Sequence, residues 1–399
     1  LAERLHDQRL KVLFITAWYP TESNPVAGNF VREHARAVLL FDDVVVLHCA
    51  GKDAVQRKTL RLEEETDPEL ARGIPTYHMW HRRALVPGGS SLTYIRDVMA
   101  AFRGIVSNGF RPDLIHAHIY EAGVPAVWLS RRECIPTVIT EHSSDFPRRR
   151  LPPWQIWKAR FAFRRADRVL PVSRMLQQAI QGYGIQGRFE IVPNAVDTNL
   201  FHPPSVNPPS EEPKHLLFVG SLRPEKGLPN LLVAAAQLRQ HRDDWRMDIV
   251  GDGAEALSYR QLCAELGLSD RVTFHGAQPS AEVAGFMQRA SILVLPSEVE
   301  TFSVAAVEAL ACGVPVLATY CGGPEEYLTA ETGLMVPTGD VEALCQGLAT
   351  MLAQLPTYSP TEIASYARRR FSHEAVGARI HGIYQACLDR TCQQKRQEA

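Results

Sequence analysis

Thirteen consecutive residues, HPPSVNPPSEEPK (202–214), carry five prolines. Proline lacks the N–H that a sheet ladder needs and clashes with the preceding turn of a helix, so neither element runs through such a stretch. On both sides of it, short runs of β-branched and aliphatic residues alternate with segments of helical period. Before it the strand-like runs are LKVLFIT (10–16), DVVVLHC (43–49), DLIHAH (113–118), PTVIT (136–140), RVLPVS (168–173) and RFEIVP (188–193). The segment NFVREHARAVLL (29–40) places Phe30, His34, Ala37 and Val38 at helical spacing. After the prolines the alternation restarts with HLLFVG (215–220), RMDIVG (246–251), RVTFHG (271–276), SILVLP (291–296) and VPVLAT (314–319). Two successive β-α arrays predict an α/β chain of two doubly wound domains. Ligands collect at the carboxyl ends of such sheets, here in a cleft between the domains. The expected boundaries are residues 1–201 for the first domain, 202–214 for a linker and 215–370 for the second domain. Residues 371–399 form a helical segment that either stays there or crosses back to the first domain.

A chain of 399 residues is too long for one ordinary core, in keeping with this division. Its formal net charge of −1 gives no overall attraction to nucleic acid, which is not expected as a partner. The eight cysteines form no C-x-x-C pair and fit buried thiols in a reducing compartment better than zinc ligands or disulfides. The first residues, LAERLHDQRLKVLF, contain no signal-peptide core, and no apolar run reaches the roughly 18 residues that span a bilayer. A cytoplasmic protein is expected.

Three strands of the second array end in glycine turns: VGSLRPEKG (219–227), VGDG (250–253) and FHGAQP (274–279). In the first, Ser221, Arg223 and Lys226 precede a helix starting near Gly227. Two cations and free backbone N–H groups suit a doubly charged phosphate chain, although a solvated surface turn has the same composition. Gly251, in the second turn, permits close backbone approach. The stretch PSEVETFSVAAVEALACGVPVLA (296–318) sets Glu300 in a loop before a helix expected to begin near Thr301 or Phe302. The first turn of that helix would offer N–H groups to an anion. Glu308 lies about two turns on, among Ala305, Ala306, Val307, Ala309, Leu310 and Ala311, where an unpaired carboxylate is costly. It could accept hydrogen bonds from the two hydroxyls of a ribose, whereas the commoner helical glutamate faces solvent.

In the first array, Gly28 precedes a helix. His116 and His118 alternate on one strand, so their side chains share a face. Such a pair can ligate metal, but no second ligand cluster is apparent in the sequence, and one of them is expected to pack in the sheet. His118 stands at the strand's carboxyl end, and Glu141 and His142 end the next strand. Residues 148–168 hold eight Arg or Lys against one acid, interleaved with Trp154, Ile156, Trp157, Phe161 and Phe163. A solvated basic helix face and a site for an anionic membrane or lipid diphosphate explain this stretch equally well.

These motifs together resemble the retaining family-4 glycosyltransferases of GT-B fold. The family's E-x(7)-E motif is matched by Glu300 and Glu308, and the run that follows it by EALACGVPVLATYCGGPEE (308–326). Val219 to Gly227, VPNAVD (192–197), GNFVREHARAV (28–38), IHAH (115–118) and TEH (140–142) match further family motifs in order, over nearly the whole chain. The resemblance implies two Rossmann-like domains and transfer of a sugar from a nucleotide-diphosphate sugar, by family habit a UDP-sugar, to a hydroxyl acceptor. The expected acceptor is a glycan, a lipid-linked molecule or a small molecule; TEHSSDF (140–146) and the basic, aromatic stretch 148–168 point to cell-envelope or exopolysaccharide synthesis, either free in the cytoplasm or at the inner face of the membrane. The resemblance further implies that Glu308 binds the ribose, Glu300 faces the donor sugar, and Phe302, Ser303 and Val304 present backbone amides to the diphosphate or sugar. Lys226 and Arg223 neutralise the leaving diphosphate, Gly28 approaches the donor phosphate, and His118 contacts a substrate hydroxyl or the transition state. Glu141 and His142 are weaker candidates on the acceptor side. No cofactor and no metal are implied, because cations and helix N-termini carry the charge. Three residues depart from the pattern: Ser221 where many members have arginine, Ser303 for a frequent glycine, and Ala195 for glycine. A nucleotide-sugar 2-epimerase and a non-catalytic sugar-nucleotide-binding subunit are the alternatives. A dinucleotide-dependent oxidoreductase lacks its G-x-G-x-x-G turn here.

Overall fold

The architecture is that of a computed structural model, which describes residues 9–22, 24, 27–49, 60–67, 73–80, 90–204 and 213–397. The chain divides into two units, residues 1–195 with 373–399, and residues 196–372. The division falls between Ala195 and Val196, ahead of the proline-rich stretch, whose residues 205–212 lie outside the described residues.

In the first unit the most apolar runs become the innermost strands. The strands are β1 (Lys11–Thr16), β2 (Asp43–Cys49), β3 (Arg61–Glu64), β4 (Thr76–Trp80), β5 (Leu114–His118), β6 (Thr137–Glu141) and β7 (Arg168–Pro171). They form one sheet in the order β3-β4-β2-β1-β5-β6-β7, parallel except for β3, which runs antiparallel to β4. All five residues of β5 and of β6 are buried, as a parallel strand covered on both faces requires. The covering helices are α1 (Asn29–Leu39), α2 (Ser90–Ser107), α3 (Ile119–Glu133), α4 (Pro153–Phe163) and α5 (Arg174–Gln181). RFEIVP does not form the expected strand. It makes a single bridge, Phe189 to Val169, and β7 ends at Pro171, which has no N–H to extend the ladder.

The second unit holds an all-parallel six-stranded sheet in the order β10-β9-β8-β11-β12-β13. Its strands are β8 (Lys214–Val219), β9 (Trp245–Val250), β10 (Val272–Gly276), β11 (Ile292–Leu295), β12 (Val316–Thr319) and β13 (Gly333–Val336). Its helices are α6 (Leu228–Arg239), α7 (Ala256–Glu265), α8 (Ser280–Arg289), α9 (Val304–Ala311), α10 (Val341–Gln354) and α11 (Pro360–Phe371). Trp245, Leu231, Ile249, Leu317 and Met351 are wholly buried at its core.

The chain then returns to the first unit. Ser372 is extended, and α12 (His373–Gln397) lies along α1, close enough that a side chain at Gly377 would run into the Ala37 carbonyl. Val376, Ile380 and Tyr384 of α12 complete the core around Val31, Ala35 and Val38. The parallel strands of each sheet reverse their order once, at β1/β5 and at β8/β11, the switch points at whose carboxyl ends doubly wound folds bind ligands. Among the described residues, no helix is long and apolar enough to cross a membrane.

Candidate functional site

At the β8/β11 switch point the loops after the strands are laced together by backbone contacts. Gly227 has φ 67°, and a side chain there would run into the Pro296 carbonyl, so only glycine lets the turn after β8 touch the chain leaving β11. The Glu298 N–H donates to Glu225 O at 2.9 Å, closing the same junction. The Leu222 N–H donates to Asp252 O at 2.9 Å, and the Gly251 N–H to Gly276 O at 2.8 Å, tying in the loops after β9 and β10.

The turn Pro224–Lys226 is a single 3₁₀ turn that aims Lys226 across the junction. Its Nζ donates to Glu300 Oε1 at 2.6 Å, and the Ser297 hydroxyl donates to the same oxygen at 2.8 Å. The Glu300 side chain is 10% exposed and that of Lys226 27%. Glu300 is fixed through its backbone as well, its N–H donating to Cys321 O at 2.8 Å and its carbonyl accepting from Gly323 at 2.8 Å. That bridge keeps the segment extended, and Ser303 follows at φ 67°, so α9 begins at Val304 and not at Thr301 or Phe302. Ser303 caps the helix, its Oγ accepting from the Ala306 N–H at 3.4 Å. Phe302 is buried against Tyr327 and Phe371, and its carbonyl accepts the Tyr327 hydroxyl at 2.7 Å. Within α9, Val304, Ala305 and Glu308 are the partly exposed positions while Ala306, Val307, Ala309, Leu310 and Ala311 are buried. Glu308 therefore shares a face with Val304, about 6 Å along the axis from the positive end of the helix. Arg223 is exposed and Ser221 partly buried on the same edge.

In the first unit, Gly28 has φ 65° and caps α1 where a side chain would run into the Trp18 carbonyl. His116 is the histidine that packs in the sheet, between the Tyr384 hydroxyl at 2.5 Å and Thr140 Oγ1 at 2.7 Å. His118 is wholly buried, with its Nδ1 3.1 Å from His142 Nε2. The next residue, Ile119, has φ 65°, a conformation that costs a β-branched residue roughly 1–3 kcal/mol and that marks a constrained position. Glu141 is buried, accepting the N–H groups of Tyr120, His142 and Ser143 at 2.9, 3.0 and 2.8 Å. Burial pushes its carboxyl up to about 7 against the pull of these three donors.

The family model for Glycosyltransferase Family 4 matches residues 27–200, and that for Glycosyl transferases group 1 matches residues 204–370. A putative colanic acid biosynthesis glycosyltransferase of Escherichia coli (strain K12) is 30% identical over 335 residues, 81% of each chain. The chain belongs to the family-4 glycosyltransferases. A D-inositol 3-phosphate glycosyltransferase of Pseudarthrobacter chlorophenolicus is 32% identical over 254 residues, 57% of this glycosyltransferase and 59% of that one. Among solved structures, sucrose-phosphate synthase of Thermosynechococcus elongatus has a TM-score of 0.74 at 22% identity, covering 95% of this chain and 99% of its own. HepE of Anabaena, solved in complex with UDP, has a TM-score of 0.74 at 20% identity, covering 94% and 100%. The fold of this glycosyltransferase is GT-B.

Within this glycosyltransferase the structure brings Lys226 and Glu300 into contact and sets Ser221, Arg223 and Gly251 along the same strand ends. Glu141 is engaged by its own backbone neighbours. Two participants escaped the sequence reading. Ser297 is an ordinary loop serine three residues before Glu300. His34, at the buried face of α1, comes within ring contact of His118 and His142, at centroid distances of 5.7 and 5.4 Å. Its position in the apolar periodicity of α1 was the one available signal.

Proposed function

We propose that this glycosyltransferase moves a sugar from a UDP-sugar to a hydroxyl acceptor with retention of anomeric configuration, in the synthesis of a cell-envelope or extracellular glycan. The observation that carries this reading is the Lys226–Glu300 pair at the β8/β11 switch point, a cation and a carboxylate held ready for exchange onto a ligand. When a donor binds, the Lys226 ammonium turns to the diphosphate. Glu300, released, accepts hydroxyls of the sugar while Ser297 keeps hold of it. Glu308 accepts the ribose hydroxyls. The acceptor oxygen then attacks the anomeric carbon on the face from which the diphosphate departs. The bond from that carbon to the phosphate oxygen breaks with its electron pair, and the departing oxygen takes the acceptor's proton. No protein nucleophile is required. Lys226, Arg223 and the first-turn N–H groups of α9 stabilise the growing negative charge, with no metal in the step. His118, wholly buried beside His34 and His142, reaches a substrate hydroxyl on the first unit only when the neighbouring rings part.

The uridine donor follows the family pattern and accords with the UDP complex of HepE. The name of the Escherichia coli relative, colanic acid biosynthesis, supports an exopolysaccharide product. Docking of the first unit on an anionic membrane, near a lipid-linked acceptor, is supported by α4. Trp154 and Trp157 on it are 50% and 62% exposed, Trp128 of α3 is 49% exposed, and Lys158 lies over the Trp154 ring at 4.8 Å.

A panel of nucleotide sugars in a thermal-shift assay tests the donor: one present at a hundred times its Kd stabilises by about 2.7 kcal/mol. The best UDP-sugar is then turned over with glycan and lipid-linked acceptors, and the product's anomeric configuration is read by NMR. No stabilisation by any UDP-sugar, or an inverted product, would overturn the reading.

A further inference from the structure

Three histidines from three separate elements converge in the first unit: His34 from α1, His118 at the end of β5, and His142 just after β6. One ring nitrogen of each lies within 4.8 Å of those of the other two, and all three residues are buried. His118 Nδ1 and His142 Nε2 are already 3.1 Å apart, close to the edge of roughly 3.3 Å between two nitrogens bound to one zinc. The third nitrogen would have to close in by on the order of 1 Å.

The outer partner of the His34 ring is one that metal-binding imidazoles have. His34 Nε2 lies 3.1 Å from the Pro193 carbonyl, a bond that puts the proton on Nε2 and leaves a lone pair on Nδ1. That Nδ1 is buried without a hydrogen-bond partner, and so is His118 Nε2. The Asn194 side chain lies beside His142. Burial drives all three rings well toward the neutral form, the form that ligates. The orphaned His34 Nδ1 is costly unless something occupies it, whereas an ion bound through His118 Nδ1 leaves His118 Nε2, on the far side of that ring, unfilled.

We propose that His34, His118 and His142 form a binding site for one transition-metal ion of the zinc class, with a fourth position left to water or a small anion. Three imidazoles and no carboxylate suit zinc, cobalt, nickel or copper and disfavour magnesium and calcium. The site goes beyond the proposed transferase reaction, whose chemical step needs no metal there. An ion held there occupies His118, so it acts as a brake on, or a structural tie of, the first unit.

The test is binding of the metal alone to the full chain. The chelator-stripped protein is titrated with Co²⁺, followed by displacement with Zn²⁺. One equivalent is expected, with the visible bands of tetrahedral cobalt and without thiolate-to-cobalt charge transfer. His34→Ala should weaken binding by about 100-fold or more, the upper end of what removal of even an outer partner costs. Thermal unfolding of the metal-free variant checks that it folds. If it does not fold, X-ray absorption of the zinc-loaded wild type decides, with nitrogen ligands and no sulfur expected at about 2.0–2.1 Å. Overturning results are no stoichiometric uptake, sulfur ligation from one of the cysteines, or undiminished affinity in a folded His34→Ala protein. Any of these would leave the cluster as a packed set of hydrogen-bonded rings.

Discussion

Lys226 and Glu300 lie 2.6 Å apart, and on the proposed function this pairing governs what each side chain does when a donor arrives. Lys226→Ala leaves Glu300 nearly buried with the Ser297 hydroxyl as its remaining side-chain partner. Breaking a buried pair costs about 3–5 kcal/mol, and the partial exposure of Lys226 puts this one at or below the lower end. Its larger effect should be on turnover, since charge on the diphosphate grows as the glycosidic bond breaks. A fall of about 10²–10³ in kcat is expected, with a much smaller change in donor Kd. A loss confined to Kd would mean that Lys226 binds ground and transition states alike. Glu308→Ala should instead act on affinity, by about 1.5–3 kcal/mol for each hydrogen bond lost, with little change in stability because Glu308 is only partly buried on α9. Calorimetry with UDP reads this directly, and an unchanged affinity would remove Glu308 from the ribose. As candidates, Glu300, Glu308 and Lys226 stood out in the sequence because charge in an apolar or glycine-rich context needs a reason, and the structure joins Lys226 to Glu300. Ser297 and His34 did not, because their significance comes from neighbours distant in sequence.

Gly227 links two elements, and its replacement tests the junction between the β8 and β11 loops. Gly227→Ala faces both a left-handed backbone and the Pro296 carbonyl, so it should destabilise the second unit by more than about 1 kcal/mol. Donor affinity should fall with it because Lys226 is the preceding residue; a variant with wild-type melting temperature and affinity would show that the turn relaxes. Two exposed tryptophans make α4 a face open to a partner. The proposal that it meets an anionic bilayer predicts co-sedimentation with anionic vesicles at low salt, weakening as salt shortens the Debye length, and lost in Trp154→Ala/Trp157→Ala. Protein that stays in the supernatant at low salt makes α4 a solvated face. The long apolar strands were legible from their runs, and α1 from its period. By contrast β3, RLEE, is a charged edge strand, and β13, GLMV, is a four-residue edge, so neither has a buried pattern long enough to stand out. The reading of RFEIVP as a strand failed for the reverse reason: its composition is right, but Pro171 ends the partner ladder.

At the scale of the whole molecule, buried histidines are distributed unequally. Among the described residues, the first unit buries seven histidines, five of them with lowered pKa (His34, His48, His116, His118 and His142), whereas the second unit buries none. Burial lowers His34 and His48 to about 4 and holds the other three well below the usual range. Between these folded values and about 6.5 the unfolded chain binds more protons than the native one. The stability these neutral rings carry is therefore fully present above about pH 6.5 and is lost as pH falls toward 4. From pH 7.5 to 5.5, His34 and His48 should each account for about 1.4 kcal/mol of that loss. Glu141 works the other way. Its carboxyl, raised to about 7, binds a proton in the native state first, so acidification over the same interval returns about 2 kcal/mol. The histidines outnumber it, and the first unit should weaken on mild acidification well before the second. Hydrogen exchange read on peptides from each unit at pH 7.5 and 5.5, corrected for intrinsic rates, separates the two. Protection should collapse in β1, β5 and β6 while β8, β9 and β11 hold. Equal losses in both sheets would show that the buried rings take up their protons without unfolding, and that the lowered histidines do not control acid stability.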